Sequence, residues 1–148
     1  LRPILENRPL GAQTRGAALF ESAQTACATC HRRGESRNPL GPDLSTIGAA
    51  RQPIDLLESI LFPSASFARG YEPYIIETDD NEQHAGVIVG EKDGAIQLAT
   101  AAGKVVSIPA NDIASIQASR VSIMPAGLDK ALSPQELADL IAYLRSLK

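Results

Sequence analysis

Cys27-Ala28-Thr29-Cys30-His31 is the stretch that decides how the rest of this chain is interpreted. Two thiols three positions apart, followed directly by an imidazole, form the spacing at which a c-type haem is attached. Each thiol can add to one haem vinyl group to form a thioether, and a ring nitrogen of the next residue can bind the iron. The motif therefore predicts a covalent haem, with Cys27 and Cys30 as its attachment points and His31 as an iron ligand.

A Cys-x-x-Cys pair also occurs in zinc sites and in redox-active dithiols. A zinc site needs two further Cys or His ligands at suitable spacing, but the chain has only these two cysteines, and its other histidine, His84, lies far downstream. A thioredoxin-like dithiol is expected near a βαβ pattern, which the neighbouring sequence does not show. Haem attachment is the interpretation that the sequence favours.

The composition limits the size and the partners of the protein. A length of 148 residues predicts a single domain, 1–148, that is large enough to bury a core. The net charge of −3 excludes the basic surface typical of nucleic-acid binding. Aromatic residues make up only 4% and Trp is absent, so we expect another large apolar group, such as a haem, in the core. No apolar run is long enough to span a bilayer.

The haem motif and the first residues of the chain together bear on the compartment in which the protein works. No signal peptide opens the chain, yet haem attachment through thioethers takes place on the periplasmic side in bacteria. We therefore expect a periplasmic or otherwise exported bacterial protein, in which Leu1 is the end left by signal cleavage or a cut in a longer polypeptide. Residues 1–10, with two prolines and no periodic pattern, predict an N-terminal arm or linker.

Helical periodicity marks three segments. The first predicted helix covers about residues 11–23, with Gly16 and Phe20 on one face. A short second helix is predicted over 52–62. The last helix is predicted to begin after Ser133, because Pro134 and Glu136 complete a capping box in front of an apolar stripe.

Between the last two of these helices the period changes to that of β-strands. Short alternating runs are separated by turn signals, which predicts a small antiparallel meander or open barrel of about five strands. We expect this β subdomain, residues 71–119, to be inserted into an otherwise helical chain with its two ends close together. The predicted strands are 74–78, 85–89, 95–99, 104–108 and 113–117.

The order of these landmarks resembles that of a class I cytochrome c. The landmarks are Gly16 and Phe20, the haem motif, 41–44 (Gly-Pro-Asp-Leu), a Met-Pro pair and a last helix that reads Leu-Ile-Ala-Tyr-Leu over 140–144. The resemblance implies a mainly α cytochrome c core, with three to four helices around a covalent haem, into which the β subdomain is inserted. It also implies that the first and last helices cross, with Gly16 and Phe20 against Leu140 and Tyr143.

The same resemblance implies a full set of site residues. His31 would be the proximal iron ligand, the carbonyl of Pro42 would hold its imidazole, and the sulfur of Met124 would be the distal ligand of one haem c. The β insert resembles the haem-binding domains of Planctomycetes and Verrucomicrobia, which often end larger chains that carry a β-propeller or a dehydrogenase-like part. Because plain cytochromes lack this insert, the resemblance does not decide whether Tyr71 plays the role that a distal-side Tyr plays in them.

The leading functional hypothesis is one-electron transfer by a protein that is not itself an enzyme. Its partners would be redox proteins or a fused periplasmic dehydrogenase domain. The alternative is a haem enzyme or a gas or redox sensor, in which Met124 is unbound or displaced. A third hypothesis, a structural module, depends on the β insert alone. His84 is the less favoured distal ligand, and three arginines could pair with haem propionates: Arg32, Arg33 and Arg37.

Overall fold

A computed structural model of the protein describes residues 12–31 and 40–148. In chain order its helices and strands are α1 (Ala12–Glu21), α2 (Cys27–Cys30), α3 (Ile47–Ala50), α4 (Pro53–Leu61), β1 (Pro73–Thr78), β2 (Gln83–Lys92), β3 (Ala95–Thr100), β4 (Val105–Pro109), β5 (Ile113–Ala118), α5 (Leu128–Ala131) and α6 (Pro134–Ser146). A 3-10 turn, Ala110–Asp112, joins β4 to β5.

The fold class differs from the expected one. The described chain is 36% helical and 26% strand, with six α-helices and a five-stranded antiparallel sheet, so it is a mixed α/β protein. The prediction of a mainly α cytochrome c core with three to four helices is wrong. Three of the six helices are single turns, because Gly- and Pro-rich segments interrupt the helical stretches. The sheet is consequently a major part of the structure rather than a decoration of a helical core.

Helices α1 and α6 pack closely at Gly16. A Cβ atom at this position would lie 2.0 Å from the backbone oxygen of Asp139 and 2.7 Å from Cβ of Tyr143, so only glycine permits this approach. One turn further along α1, the ring of Phe20 lies with its centroid 5.5 Å from that of Tyr143, at a tilted angle. The expected contact of Gly16 and Phe20 with Tyr143 is thus present.

The start of α6 follows its sequence signals. The Ser133 hydroxyl accepts the backbone N–H of Glu136, and the Glu136 carboxylate accepts the N–H of Ser133, so the predicted capping box is confirmed. The apolar stripe of α6 packs on α1 and α4 to form the helical core. The core consists of Phe20, Leu56, Leu57, Ile60, Leu128, Leu132, Leu137, Leu140, Ile141, Tyr143, Leu144 and Leu147.

The sheet has the strand order β4-β3-β2-β1-β5 and its own small core. All five strands lie where the alternating runs predict them, with ends that differ by a few residues. The turns follow the Asp-, Asn- and Gly-rich signals, and Asp93 and Gly94 both adopt positive φ at the turn between β2 and β3. Ile76, Leu98 and Ile108 form the buried centre of the sheet.

The sheet leaves and rejoins the helical part of the chain at one place. The backbone N–H of Ser119 donates to the carbonyl of Pro73 at 2.8 Å, which confirms that the ends of the insert lie together. Just beyond, the N–H of Ser122 donates to the hydroxyl of Ser64, which follows α4, at 3.0 Å. Among the described residues, no helix has both the length and the apolar character needed to cross a membrane.

Candidate functional site: the Cys-x-x-Cys-His turn

Helix α2 is a single turn that carries both cysteines. Residues three apart on a helix lie on the same side, so Cys27 and Cys30 present their thiols in one direction. Both cysteines are free and partly buried. Ala26, directly before the turn, has a left-handed backbone with φ 51°, and its N–H donates to the carbonyl of Ser22 at 2.9 Å. This bend separates α1 from the turn that bears the thiols.

His31 follows α2 directly and is fixed through its ring. Its backbone N–H donates to the carbonyl of Cys27 at 2.8 Å, and its Nδ1 lies 3.0 Å from the carbonyl oxygen of Pro42. A carbonyl can only accept, so the proton is on Nδ1 and Nε2 is left with its lone pair. Burial lowers the pKa of His31, an effect partly opposed by the hydrogen bond to Pro42. The imidazole is therefore neutral at neutral pH, which is the form that binds metals.

Gly41 shapes the cradle for this imidazole. A Cβ atom on Gly41 would lie 2.9 Å from both Cε1 and Nδ1 of His31, closer than side chains normally approach. The small residue thus lets the Pro42 carbonyl reach the ring. A ring held by a carbonyl at Nδ1 is typical of a metal-ligating histidine, since that bond fixes the tautomer and the orientation. The described residues around His31 therefore fit the proximal side of a haem.

Met124 lies in the loop between β5 and α5. Its backbone N–H donates to the hydroxyl of Ser122 at 3.1 Å, and its half-buried side chain packs against the helical core. Cys27 packs at the edge of the same core. The Cys-x-x-Cys-His turn and the loop that carries Met124 thus border the same hydrophobic core, although they are almost a hundred residues apart in the chain.

The other residues singled out by the sequence lie elsewhere. His84 is on β2, opposite Ile76, with its Nε2 3.6 Å from the carboxylate of Glu82. It lines a cavity of about 480 Å³ at one end of the sheet. Tyr71 is half-buried, and its N–H donates to the carbonyl of Ala68. The predicted arm over 1–10 and the arginines Arg32, Arg33 and Arg37 lie outside the described residues.

An ion pair that the sequence analysis missed braces the helix crossing. The Arg15 guanidinium donates from Nε and Nη2 to the two carboxylate oxygens of Asp139, at 2.6 and 2.9 Å. Gln135 donates to the same carboxylate at 2.9 Å. These hydrogen bonds, the one from Arg15 above all, hold the pKa of Asp139 below its ordinary value. The sequence signal for this ion pair is that Asp139 precedes Tyr143 by one turn, which places a carboxylate on the face of α6 that packs against α1.

Two threonines next to the cysteines were also missed. The Thr29 hydroxyl lies 3.7 Å from the sulfur of Cys30. Burial raises the pKa of the Cys27 thiol, an effect that the nearby Thr25 hydroxyl partly opposes. Thr25 is almost fully buried, which is unusual for a polar residue in a loop. The sequence gives a weak signal, one threonine shortly before each cysteine.

Comparison with known proteins adds no assignment to this geometry. Neither the known protein-family models nor the curated protein sequences contain a match to the chain.

Proposed function

We propose that this chain binds one haem c covalently and transfers single electrons. The observation that carries the proposal is the ring of His31, held at Nδ1 by the Pro42 carbonyl beside a turn that presents two free thiols. Cys27 and Cys30 would form the thioethers, and Nε2 of His31 would bind the iron. When bound, the haem supplies a metal centre that takes up and releases one electron.

The roles of the chain's own residues follow from their surroundings. Pro42 keeps the proton of His31 on Nδ1 and increases the basicity of Nε2. Met124, half-buried against the helical core, would supply a thioether sulfur as the sixth ligand. A soft sulfur ligand favours the reduced iron and so raises the reduction potential, and a filled sixth position excludes substrate. Such a site relays electrons and performs no bond chemistry of its own.

The proposal extends to compartment and partners. Thioether attachment places the protein in the bacterial periplasm or another exported location. Its electron donor would be a periplasmic dehydrogenase, either a separate protein or a domain of the same polypeptide. The resemblance to class I cytochromes c, and to haem-binding domains found at the end of larger chains, supports this assignment.

The attachment itself is the direct test. The protein is expressed with a cytochrome c maturation system, and the wild type is compared with Cys27→Ala, Cys30→Ala and the double variant. Haem staining should comigrate with the wild-type protein on a denaturing gel, and acid-organic extraction should leave the haem on the chain. Each single variant should keep one thioether and the double variant none. Haem that extracts freely from the wild type would refute the proposal.

A second function, a haem-based gas sensor or enzyme, is favoured by the position of Met124. The residue is only half-buried and lies in a loop close to Gly127, whose φ is 91°, rather than on a long helix. Displacement of its sulfur would open the sixth iron position to a diatomic ligand. Met124→Ala should bind carbon monoxide in the ferrous form whereas the wild type should not, and His84→Ala is the matched control. Equal binding by the wild type would favour the sensor or enzyme.

A further inference from the structure

Two serine hydroxyls in series hold the backbone of the loop that carries Met124. The backbone N–H of Met124 donates to the hydroxyl of Ser122 at 3.1 Å, and the backbone N–H of Ser122 donates to the hydroxyl of Ser64 at 3.0 Å. The first bond is local, whereas the second joins residues that are 58 positions apart. The backbone of the proposed sulfur ligand is thus connected to the segment that follows α4.

Ser64 is itself held in a tight turn. The backbone N–H of Ala65 donates to the carbonyl of Phe62 at 2.9 Å, which closes a turn of four residues. The second residue of this turn is Pro63, which is buried and whose ring fixes its φ. The Ser64 hydroxyl is therefore an acceptor on a restrained backbone, and a bond to it fixes the position of its donor.

The sheet holds the same loop from the other side. The backbone N–H of Ser119 donates to the carbonyl of Pro73 at the base of the sheet, at 2.8 Å. The Ser119 hydroxyl in turn accepts the backbone N–H of Val121 at 3.1 Å. Ser122 follows directly, so the chain passes from a fixed point on the sheet to Met124 within a few residues.

Restraint of the backbone matters for Met124 because its side chain is flexible. A methionine has three rotatable side-chain bonds, and this one is only half-buried, so packing restricts it incompletely. A loop that had to become ordered each time the sulfur bound would lose conformational entropy in that step. A loop that is ordered beforehand avoids this loss, and the sulfur then binds more tightly.

We propose that Ser64 and Ser122 are positioning residues for Met124, which hold its loop so that the sulfur keeps the sixth iron position against competing ligands. This inference rests on the proposed function. It also assigns a role to the sheet, which restrains the strand end of the same loop through Ser119.

The two serines differ in exposure, which predicts unequal effects. Ser64 is exposed, whereas Ser122 is half-buried. Water can replace an exposed hydroxyl as the acceptor of a backbone N–H, but it reaches the partly buried N–H of Met124 less easily. Loss of the Ser122 hydroxyl should therefore weaken the binding of the sulfur more than loss of the Ser64 hydroxyl.

The experiment uses the haem-loaded protein in the ferric form. Wild type is compared with Ser122→Ala, Ser64→Ala and the hydroxyl-retaining variants Ser122→Thr and Ser64→Thr. The matched control is Ser66→Ala, which changes an exposed serine of the same segment. The readouts are the weak far-red absorption band of ferric haem with a sulfur ligand and the affinity for imidazole, which competes with the sulfur of Met124. Thermal unfolding followed by circular dichroism monitors the fold.

Ser122→Ala should bind imidazole about fivefold more tightly than the wild type, as expected for one lost hydrogen bond, and its far-red band should weaken. Ser64→Ala should bind imidazole about twofold more tightly. The threonine variants and Ser66→Ala should behave as the wild type does. Wild-type affinity in both Ser122→Ala and Ser64→Ala would overturn the inference, even if their Tm were lower, as would threonine variants that match the alanine ones.

A measurement on the wild type alone gives a second test. Because coupling between two equilibria is reciprocal, saturating imidazole should speed the hydrogen exchange of the Ser122 and Met124 amides by about fivefold. The amide of Ile76, in the centre of the sheet, should be unaffected. Equal exchange of the loop amides with and without imidazole would overturn the inference. A wild type that lacks the far-red band and binds imidazole as tightly as Met124→Ala does would instead refute Met124 as a ligand, and with it that part of the proposed function.

Discussion

Gly16→Ala should destabilise the protein through the contact between α1 and α6. The new Cβ would lie 2.0 Å from the backbone oxygen of Asp139, whereas a normal C···O contact is about 3.3 Å. Because that oxygen belongs to a helix backbone, it cannot rotate away. The two helices would therefore have to separate by about 1 Å, and a gap of that size forfeits up to about half of the attraction between facing atoms.

The expected size of the effect follows from two opposing contributions. Alanine improves the helix propensity of α1 by about 1 kcal/mol over glycine. Overpacking in a close interface costs about 1–3 kcal/mol, and more where backbone must move. Since Phe20 and Tyr143, which are 1% and 6% exposed, lose contact as well, we expect a net loss of about 2 kcal/mol. For a chain of this size, Tm should fall by about 4–8 °C.

Thermal unfolding followed by circular dichroism measures this effect. The matched control is Ala18→Ser, which adds one atom to an exposed position of the same helix and should change stability by no more than about 0.5 kcal/mol. A Gly16→Ala protein with a Tm equal to or above that of the wild type would show that α1 and α6 do not pack as described.

Three further changes test the helix cap, the ion pair and the histidine cradle. Ser133→Ala should lower the free energy of unfolding, measured with urea, by about 1 kcal/mol. Ser133→Asp should keep most of that stability, because Asp can also cap the helix. Asp139→Asn should cost about 1–2 kcal/mol at pH 7. Arg15 holds the folded pKa of Asp139 below its unfolded value, so this stability is present above about pH 4 and is lost as the pH falls through the folded pKa. The asparagine variant should therefore lose this acid dependence of Tm. An unchanged dependence of Tm on pH in that variant would contradict the assignment. Gly41→Ala should displace the His31 ring and weaken the hydrogen bond from its Nδ1. The weaker bond should raise the reduction potential of the haem-loaded protein. An unaltered potential would argue against a role for Gly41 in positioning His31.

Local signals predicted those elements whose cause is itself local. Ser133 and Glu136 are three residues apart, and their capping box depends on nothing beyond that turn. The strands are likewise delimited by turn residues such as Asp93 and Gly94. Their weight in the fold was underestimated, because a resemblance to cytochromes made the sheet look like an addition to a helical core.

Contacts between distant parts of the chain could not be predicted from local patterns. Arg15 and Asp139 are 124 residues apart, and neither residue alone indicates that the two helices bring them together. The same limit holds for the candidate site. The motif indicated the thiols and the imidazole, but the position of the Pro42 carbonyl came from a family resemblance. The hydrogen bond between Thr25 and Leu19 had no counterpart in the sequence pattern.

The backbone hydrogen bond between Ser119 and Pro73 has a consequence for how this protein can change over generations. Because the two ends of the sheet segment are paired with each other, that segment is a closed loop as far as the helical part is concerned. The length of the segment therefore has little effect on the stability of the helical part. Doubling a flexible loop costs only about 0.6 kcal/mol in closure entropy. Descendants can therefore enlarge, shorten or replace the segment between these two residues while the α1–α6 crossing and the Cys-x-x-Cys-His turn remain unaltered.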